Sequence, residues 1–210
     1  MKKETARVFV VDDDPSVCRA LDRLIRSGGL LVETFASADA FLEHPGTKGP
    51  SCLILDIKMP GITGMELQEK LLSKGNTMPI IFITGHGDIP LAVEAIKKGA
   101  IDFLSKPFND EDLFDAIDEA LVKSRKMLTR LADQAAIRCR LDSLTKRESE
   151  ILTYVITGML NKQIAAALNI SEATVKVHRG RVMEKMNVAS VAKLVQLAQK
   201  VDIKPAKIHP

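Results

Sequence analysis

Tryptophan is absent from this 210-residue chain, tyrosine occurs once, and aromatic residues make up only 4% of it. An RNA-binding output that stacks unpaired bases on aromatic side chains is therefore disfavoured. Cysteine is nearly as scarce: Cys18, Cys52 and Cys139 are odd in number, widely spaced and in no C-x-x-C pair. That pattern argues against a disulfide framework or a zinc site and fits a reducing cytosol. No apolar run approaches the roughly 20 residues that a membrane span needs. The opening MKKETARVFVVDDD has too short an apolar run for a signal peptide and stops at three aspartates. The expectation is a soluble, cytoplasmic protein with no membrane partner.

What is present is divided by charge. Residues 1–123 hold 14 Lys and Arg against 20 Asp and Glu, a net of −6, whereas residues 124–210 hold 16 against 7, a net of +9. Two domains with different partners are implied, the basic one a candidate for nucleic acid. Five strand-like runs, RVFVV, LLVETF, CLILD, PIIFIT and IDFLS, recur in the acidic part. Between them apolar residues fall three and four apart, as at Val17, Leu21, Leu24 and Ile25. Strands alternating with helices indicate a parallel sheet covered on both faces, and five βα units match a doubly wound, α/β flavodoxin-like domain. Asp14-Pro15 reads as an N-cap with proline at the first helical position, and Gly28-Gly29 as the end of that helix. From Asn109 a long linker helix is expected. Its Leu121, Leu128 and Ala135 fall seven apart with Leu131 beside them, which suits either a dimer seam or a solvated connector.

The run CLILDIKMPG ends on a single carboxylate, Asp56, where an open α/β sheet keeps its ligands. Taken alone, Asp56 is equally compatible with a strand-end acid bonded to nearby backbone amides. The first run, however, ends on Asp12 and Asp13, and in the strand order 2-1-3-4-5 strands one and three are neighbours. Three carboxylates converging there would call for a cation, and oxygen-only ligands at a small exposed site suit Mg2+. Thr84 ends the fourth run and Lys106 follows the fifth, adding a hydroxyl and an ammonium. A cis Lys106-Pro107 peptide would aim that lysine inward. An acceptor carboxylate with a metal, a hydroxyl and a lysine around it describes phosphoryl transfer onto aspartate.

Through VVDDDPSV, LILDIKMPGITG, FITGHGDIP and AIDFLSKPF the chain resembles the receiver domains of two-component response regulators, over about residues 6–122. The resemblance implies that Asp56 is the phosphoacceptor. It also implies that Asp12, Asp13, Asp56 and the backbone carbonyl of Lys58 hold Mg2+, and that Thr84 and Lys106 contact the phosphoryl group. Phe103 takes the place of the switch aromatic that follows Thr84 on activation, and the Lys58 and His86 positions would tune phosphoryl lifetime. Asp14 is left as a helix cap.

The basic part contains SLTKRESEILTYVITGMLNKQIAAALNISEATVKVHRGRVMEKMNV, which reads as three helices. Thr145 and Glu148 form a capping box for the first, which Gly158 ends; NKQIAAAL is the second; Ser171 caps a third running to about Met186. Two helices on so tight a turn, the second basic, suggest helix-turn-helix DNA binding. On a helical wheel Val175, Val182, Met183 and Met186 share the core face. Val177, Gly180, Arg181 and Glu184 lie opposite, with Thr174, Lys176 and His178 on the margins; Arg179 falls near the apolar face and is not expected to read bases. Asn161 and Lys162, at a helix start, suit phosphate. The expected DNA-binding set is Asn161, Lys162, Thr174, Lys176, Val177, His178 and Arg181.

LTKRESEIL, NKQIAAAL and ATVKVHRGRVMEKM resemble the LuxR/FixJ-type output domain, with one departure: Gly180 stands where that family often has a polar, DNA-facing side chain. The whole chain looks most like the FixJ branch, which includes regulators of aromatic-compound catabolism. The expected domains are a receiver at 1–122, a helical linker at 123–141, a LuxR-type DNA-binding domain at 142–203 and a tail at 204–210. The resemblance implies a phosphorylation-dependent transcriptional regulator, not an enzyme. Its partners would be a cognate sensor histidine kinase, double-stranded promoter DNA and, as a further candidate, RNA polymerase. Phosphorylation would promote a homodimer through the fourth helix and fifth strand. Two alternatives stay open: a phosphorylation-independent regulator whose receiver serves only dimerisation, and an aspartyl-phosphate phosphatase. The latter needs a second acid two residues beyond its nucleophile, where Lys58 stands.

Overall fold

The computed structural model describes residues 6–47, 49–85 and 89–206. The first part alternates strands and helices: β1 (Arg7–Val11), α1 (Pro15–Ser27), β2 (Leu31–Phe35), α2 (Ala38–Leu42), β3 (Ser51–Asp56), α3 (Gly64–Ser73), β4 (Ile80–Thr84), α4 (Ile89–Lys97) and β5 (Asp102–Ser105). The strands are all parallel and ordered β2-β1-β3-β4-β5. There follow α5 (Asp110–Asp142), α6 (Lys146–Val155), α7 (Asn161–Leu168), α8 (Glu172–Lys185) and α9 (Val191–Lys200). None of the described helices is long and apolar enough to cross a membrane. The chain divides into two compact units, one ending at Leu128 and the other starting at Thr129.

In the first unit β3 and β4 are buried along their whole length, which is why CLILD and IIFIT carry apolar residues at successive positions without alternation. Side chains of a strand point alternately to opposite faces, so each run feeds two cores. Val8, Val10, Ile54, Ile81 and Ile83 pack on one face with Leu21 and Ile25 of α1 and Leu113 and Ile117 of α5. Phe9, Val11, Leu53, Leu55 and Phe82 pack on the other with Phe41 of α2, Leu67 and Leu71 of α3 and Ala95 of α4. Asp14 caps α1 by accepting from the Ser16 amide, with Pro15 at the first helical position. The result is the doubly wound, flavodoxin-like sheet, with its strand ends left open to carry polar residues.

Helix α5 contains no Gly or Pro between Asp110 and Asp142, so nothing in its sequence marks where one unit stops. Leu121 is buried in the first core, which removes it from any seam, and the hydroxyl of Ser124 accepts the Ser51 amide at 3.0 Å. Ile137 instead packs in the core of the second unit.

That second core gathers Ile151, Leu152 and Val155 of α6, Ile164 of α7, Val175 and Val182 of α8, and Leu194 and Leu197 of α9. Thr145 and Glu148 form the expected capping box. Helix α9 goes beyond the three helices expected; its signal is the Ser190 cap followed by Leu194, Leu197 and Ala198 on one face. Asn169, in the left-handed region at φ 50°, closes α7 and allows the short turn into Ser171, the cap of α8.

Glu148 is buried, and its carboxylate accepts from the Lys185 ammonium at 2.7 Å and the Thr145 amide at 2.9 Å. Lys185 first, then the Thr145 amide, hold its pKa down to about 2 from 4.5. A depressed carboxyl contributes stability that is complete above the unfolded value and is lost as pH falls through the folded one. The single tyrosine, Tyr154, packs on this core, so its fluorescence reports this unit. Denaturation followed by Tyr154 emission should show wild type more stable than Glu148→Gln at neutral pH, with the gap closing as pH drops from about 4.5 towards 2. A gap independent of pH over that range would contradict the ion-pair account.

Candidate functional site

The register of the sheet decides which residues meet at its carboxyl edge. Val11 of β1 pairs with Leu55 of β3, so the next residues, Asp12 and Asp56, leave the sheet side by side. Asp56 pairs with Ile83, Thr84 pairs with Ser105, and the Lys106 amide donates to the Thr84 carbonyl at 2.7 Å. The Lys106-Pro107 peptide is cis, as expected. The Lys106 ammonium lies 2.7 Å from Asp12 Oδ2 and 2.9 Å from Asp56 Oδ1. The remaining oxygens are also engaged: Asp12 Oδ1 accepts the Asp14 amide at 2.9 Å and Asp56 Oδ2 the Lys58 amide at 2.7 Å.

Two carboxylates, 1% and 6% exposed at Asp12 and Asp56, thus share one ammonium. Burial, opposed by Lys106, raises the Asp56 pKa above its ordinary value, and the Asp12 charge adds to the rise. Burial works against the Lys106 ammonium too, but its bonds to Asp12 and Asp56 outweigh that and hold the lysine protonated. The two directions agree once the stoichiometry is considered. The lysine has two anionic partners, while each acid has half a lysine.

Not every expected residue joins this cluster. Asp13 is exposed, and among the described residues no three acidic, histidine or cysteine side chains gather as a metal site. The pocket nevertheless suits a hard divalent cation in its chemistry: its acids offer only oxygens, and their buried negative charge exceeds the single ammonium. Thr84 is buried at the end of β4. Phe103 is half-buried against the second sheet-face core and pairs with Phe82. Lys58 is exposed, and His86 lies outside the described residues.

Two residues at this edge were not anticipated. Gly64 opens α3 directly behind the phosphoacceptor candidate: a Cβ there would meet the Asp56 carbonyl oxygen and the Ile57 Cα. Its signal was a glycine just inside the Thr63–Glu66 capping box. Cys18, on α1, directs its thiol at the Asp12 carbonyl, 3.3 Å away. Burial and then the Asp12 charge push the Cys18 thiol pKa up, so it stays protonated.

The second unit presents a basic surface on α8. Lys176, Val177, Gly180 and Arg181 are exposed, Val177 to 53%, while Val175 and Val182 are buried. Arg179 is turned to an internal task, donating to Asn161 Oδ1 at 3.0 Å and the Met159 carbonyl at 3.4 Å. Asn161 therefore has its side-chain oxygen committed, leaving its amide groups for any phosphate. Thr174 shares a 2.7 Å hydroxyl bond with Ser171 in the cap. His178 is half-buried, and its Nδ1 has no hydrogen-bond partner among the described residues. Leu160, at the N-cap of α7, offers no side-chain cap, and its own amide donates to Gln163 Oε1 at 2.8 Å; Lys162 beside it is exposed. Open amides at a helix start are ready anion donors.

Comparison with known proteins matches residues 8–118 to the response regulator receiver domain family and residues 142–198 to the LuxR family of bacterial regulatory proteins. The response regulator protein TmoT of Ectopseudomonas mendocina is 48% identical over 201 residues, covering 96% of this chain and 91% of its own. The transcriptional regulatory protein FixJ of Azorhizobium caulinodans is 41% identical, covering 97% and 96%. Among solved structures, the response regulator StyR matches with a TM-score of 0.81 at 48% identity over 93% of this chain and 99% of that one. Full-length FixJ from B. japonicum matches with a TM-score of 0.57 at 38% identity over 97% and 99%.

The close approach at Gly64 gives a direct check on the site's scaffold. Because the obstacle is backbone, Gly64→Ala should destabilise the first unit by about 1–3 kcal/mol in denaturant titration followed by circular dichroism. A neutral substitution would mean that α3 does not press on Asp56.

Proposed function

The chain belongs to the two-component response regulators, with a receiver domain followed by a LuxR-type DNA-binding domain, and we propose that phosphorylation of Asp56 controls its DNA binding. The observation that carries this reading is the Lys106 ammonium held between Asp12 and Asp56 at the open end of the sheet. A carboxylate oxygen of Asp56 attacks the phosphorus of a phosphohistidine on a sensor kinase. The new O–P bond forms as the P–N bond breaks, and its electron pair leaves on the imidazole. Lys106 moves its bond from Asp56 to an equatorial phosphoryl oxygen, and the Thr84 hydroxyl donates to another.

Asp12, Asp13, Asp56 and the Lys58 carbonyl would hold Mg2+. When bound, the ion neutralises charge on the transferring group. Asp13, exposed at the rim, supplies charge that the buried pair lacks. Thr84 and Phe103 then shift inward together, a local charge event biasing a two-state element. Val93 and Ile96 on α4, 47% and 46% exposed, support a dimer face formed by α4 and β5. A dimer presents two α8 helices to paired half-sites of promoter DNA. Lys176, Val177 and Arg181 face the groove with Thr174 and His178 at its margins, and Asn161 and Lys162 meet phosphate. The regulator acts in the cytoplasm, with RNA polymerase a further candidate partner at the promoter.

Intact-mass analysis with a small acyl phosphate tests the acceptor. A single Mg2+-dependent phosphoryl adduct is expected on wild type and none on Asp56→Asn. An adduct that persists on Asp56→Asn would place the chemistry elsewhere. DNA titrations should show tighter binding and a dimer after phosphorylation; a monomer with unchanged affinity would favour the phosphorylation-independent alternative. Arg181→Ala or Lys176→Ala should weaken binding about 5- to 150-fold if the residue reads a base. If it contacts only phosphate, the salt slope should fall by about one.

A further inference from the structure

Asp12 is more completely tied down than a simple ligand requires. Its amide donates to the Phe35 carbonyl at 3.2 Å, its Oδ1 accepts the Asp14 amide at 2.9 Å and its Oδ2 meets Lys106. The one remaining polar group, the backbone carbonyl, accepts from Cys18 Sγ at 3.3 Å, and the same thiol lies 4.0 Å from the Phe35 carbonyl. Cys18 thus sits between the carboxyl ends of β1 and β2, where the two strands part. Its own amide closes the first turn of α1 on the Asp14 carbonyl at 3.0 Å. Cys18 therefore holds both ends of the segment Asp12–Asp13–Asp14, its thiol at the Asp12 carbonyl and its backbone amide at the Asp14 carbonyl.

We propose that Cys18 is a positioning residue: its thiol proton, donated to the Asp12 carbonyl, fixes the acidic loop in the geometry that binds the divalent cation. This rests on the metal reading of the pocket given above. Removing the donor leaves a buried carbonyl unpaired and lets the loop carrying Asp12 and Asp13 relax. A thiol that merely filled space would be replaceable by any side chain of its size.

Mn2+, an EPR-visible hard cation, serves as the probe on the full-length protein without any phosphoryl donor. Cys18→Ala and Cys18→Val should each weaken Mn2+ binding about 5-fold, the effect of losing one ordinary hydrogen bond. Cys18→Ser, which keeps a donor, should stay within about twofold of wild type. Valine guards against an unfolded alanine variant because it fills the site, and metal-free thermal unfolding is measured alongside. Mn2+ affinity unchanged in Cys18→Val, or Cys18→Ser as weak as Cys18→Val, would overturn the positioning role while leaving the metal reading intact. No Mn2+ binding by wild type would remove the metal reading and this role with it.

Discussion

One ammonium shared by two buried carboxylates is the constraint around which the first unit is built. Lys106 can reach both acids only if β1 and β3 end at the same level and β5 delivers its last residue next to the end of β4. The register across all four strands provides that arrangement. The register in turn depends on two apolar cores pressing the sheet from both faces, since slippage by one residue would send every core side chain to the opposite face. Asp12 and Asp56 have a single ammonium between them, so the two buried acids carry more negative charge than the one lysine offsets.

The second unit contains a buried carboxylate in the opposite condition. Glu148 meets a lysine of its own and a backbone amide, and its pKa is driven down rather than up. Both acids are buried and both touch a lysine, yet one is settled and the other is not. At Asp56 burial is the leading cause and outweighs a lysine that is shared, whereas at Glu148 Lys185 and the Thr145 amide outweigh burial. A carboxylate with its own cation joins helices, as Glu148 does through Lys185; one that must share leaves part of its charge unmatched. Similarly Arg179, though cationic and on the basic helix, is consumed in joining α8 to the start of α7.

Much of this was legible in the sequence. Uninterrupted apolar runs ending in Asp12, Asp56 and Thr84 announce buried parallel strands with polar ends, and three- and four-residue spacing announces the helices between them. Capping residues at Asp14, Thr145 and Ser171 fixed helix starts because their hydrogen bonds are local. What escaped were long-range pairings. No pattern in the chain tells which acid the lysine reaches, that Asp13 stays at the surface, or that the Asn161 oxygen is taken by an arginine 18 positions later. The end of the first unit was equally hidden, because α5 continues through it without a break and only packing separates Ser124 from Ile137.

Gly180 lies in the middle of α8, on the exposed side, and a Cβ there would meet nothing within 4 Å. It costs about 1 kcal/mol of helix stability relative to alanine without any close packing in return. The position is therefore a blank in an otherwise written surface. A larger side chain could stand there without meeting the core, so this point of the exposed face can change its chemistry while the packing of α8 stays fixed.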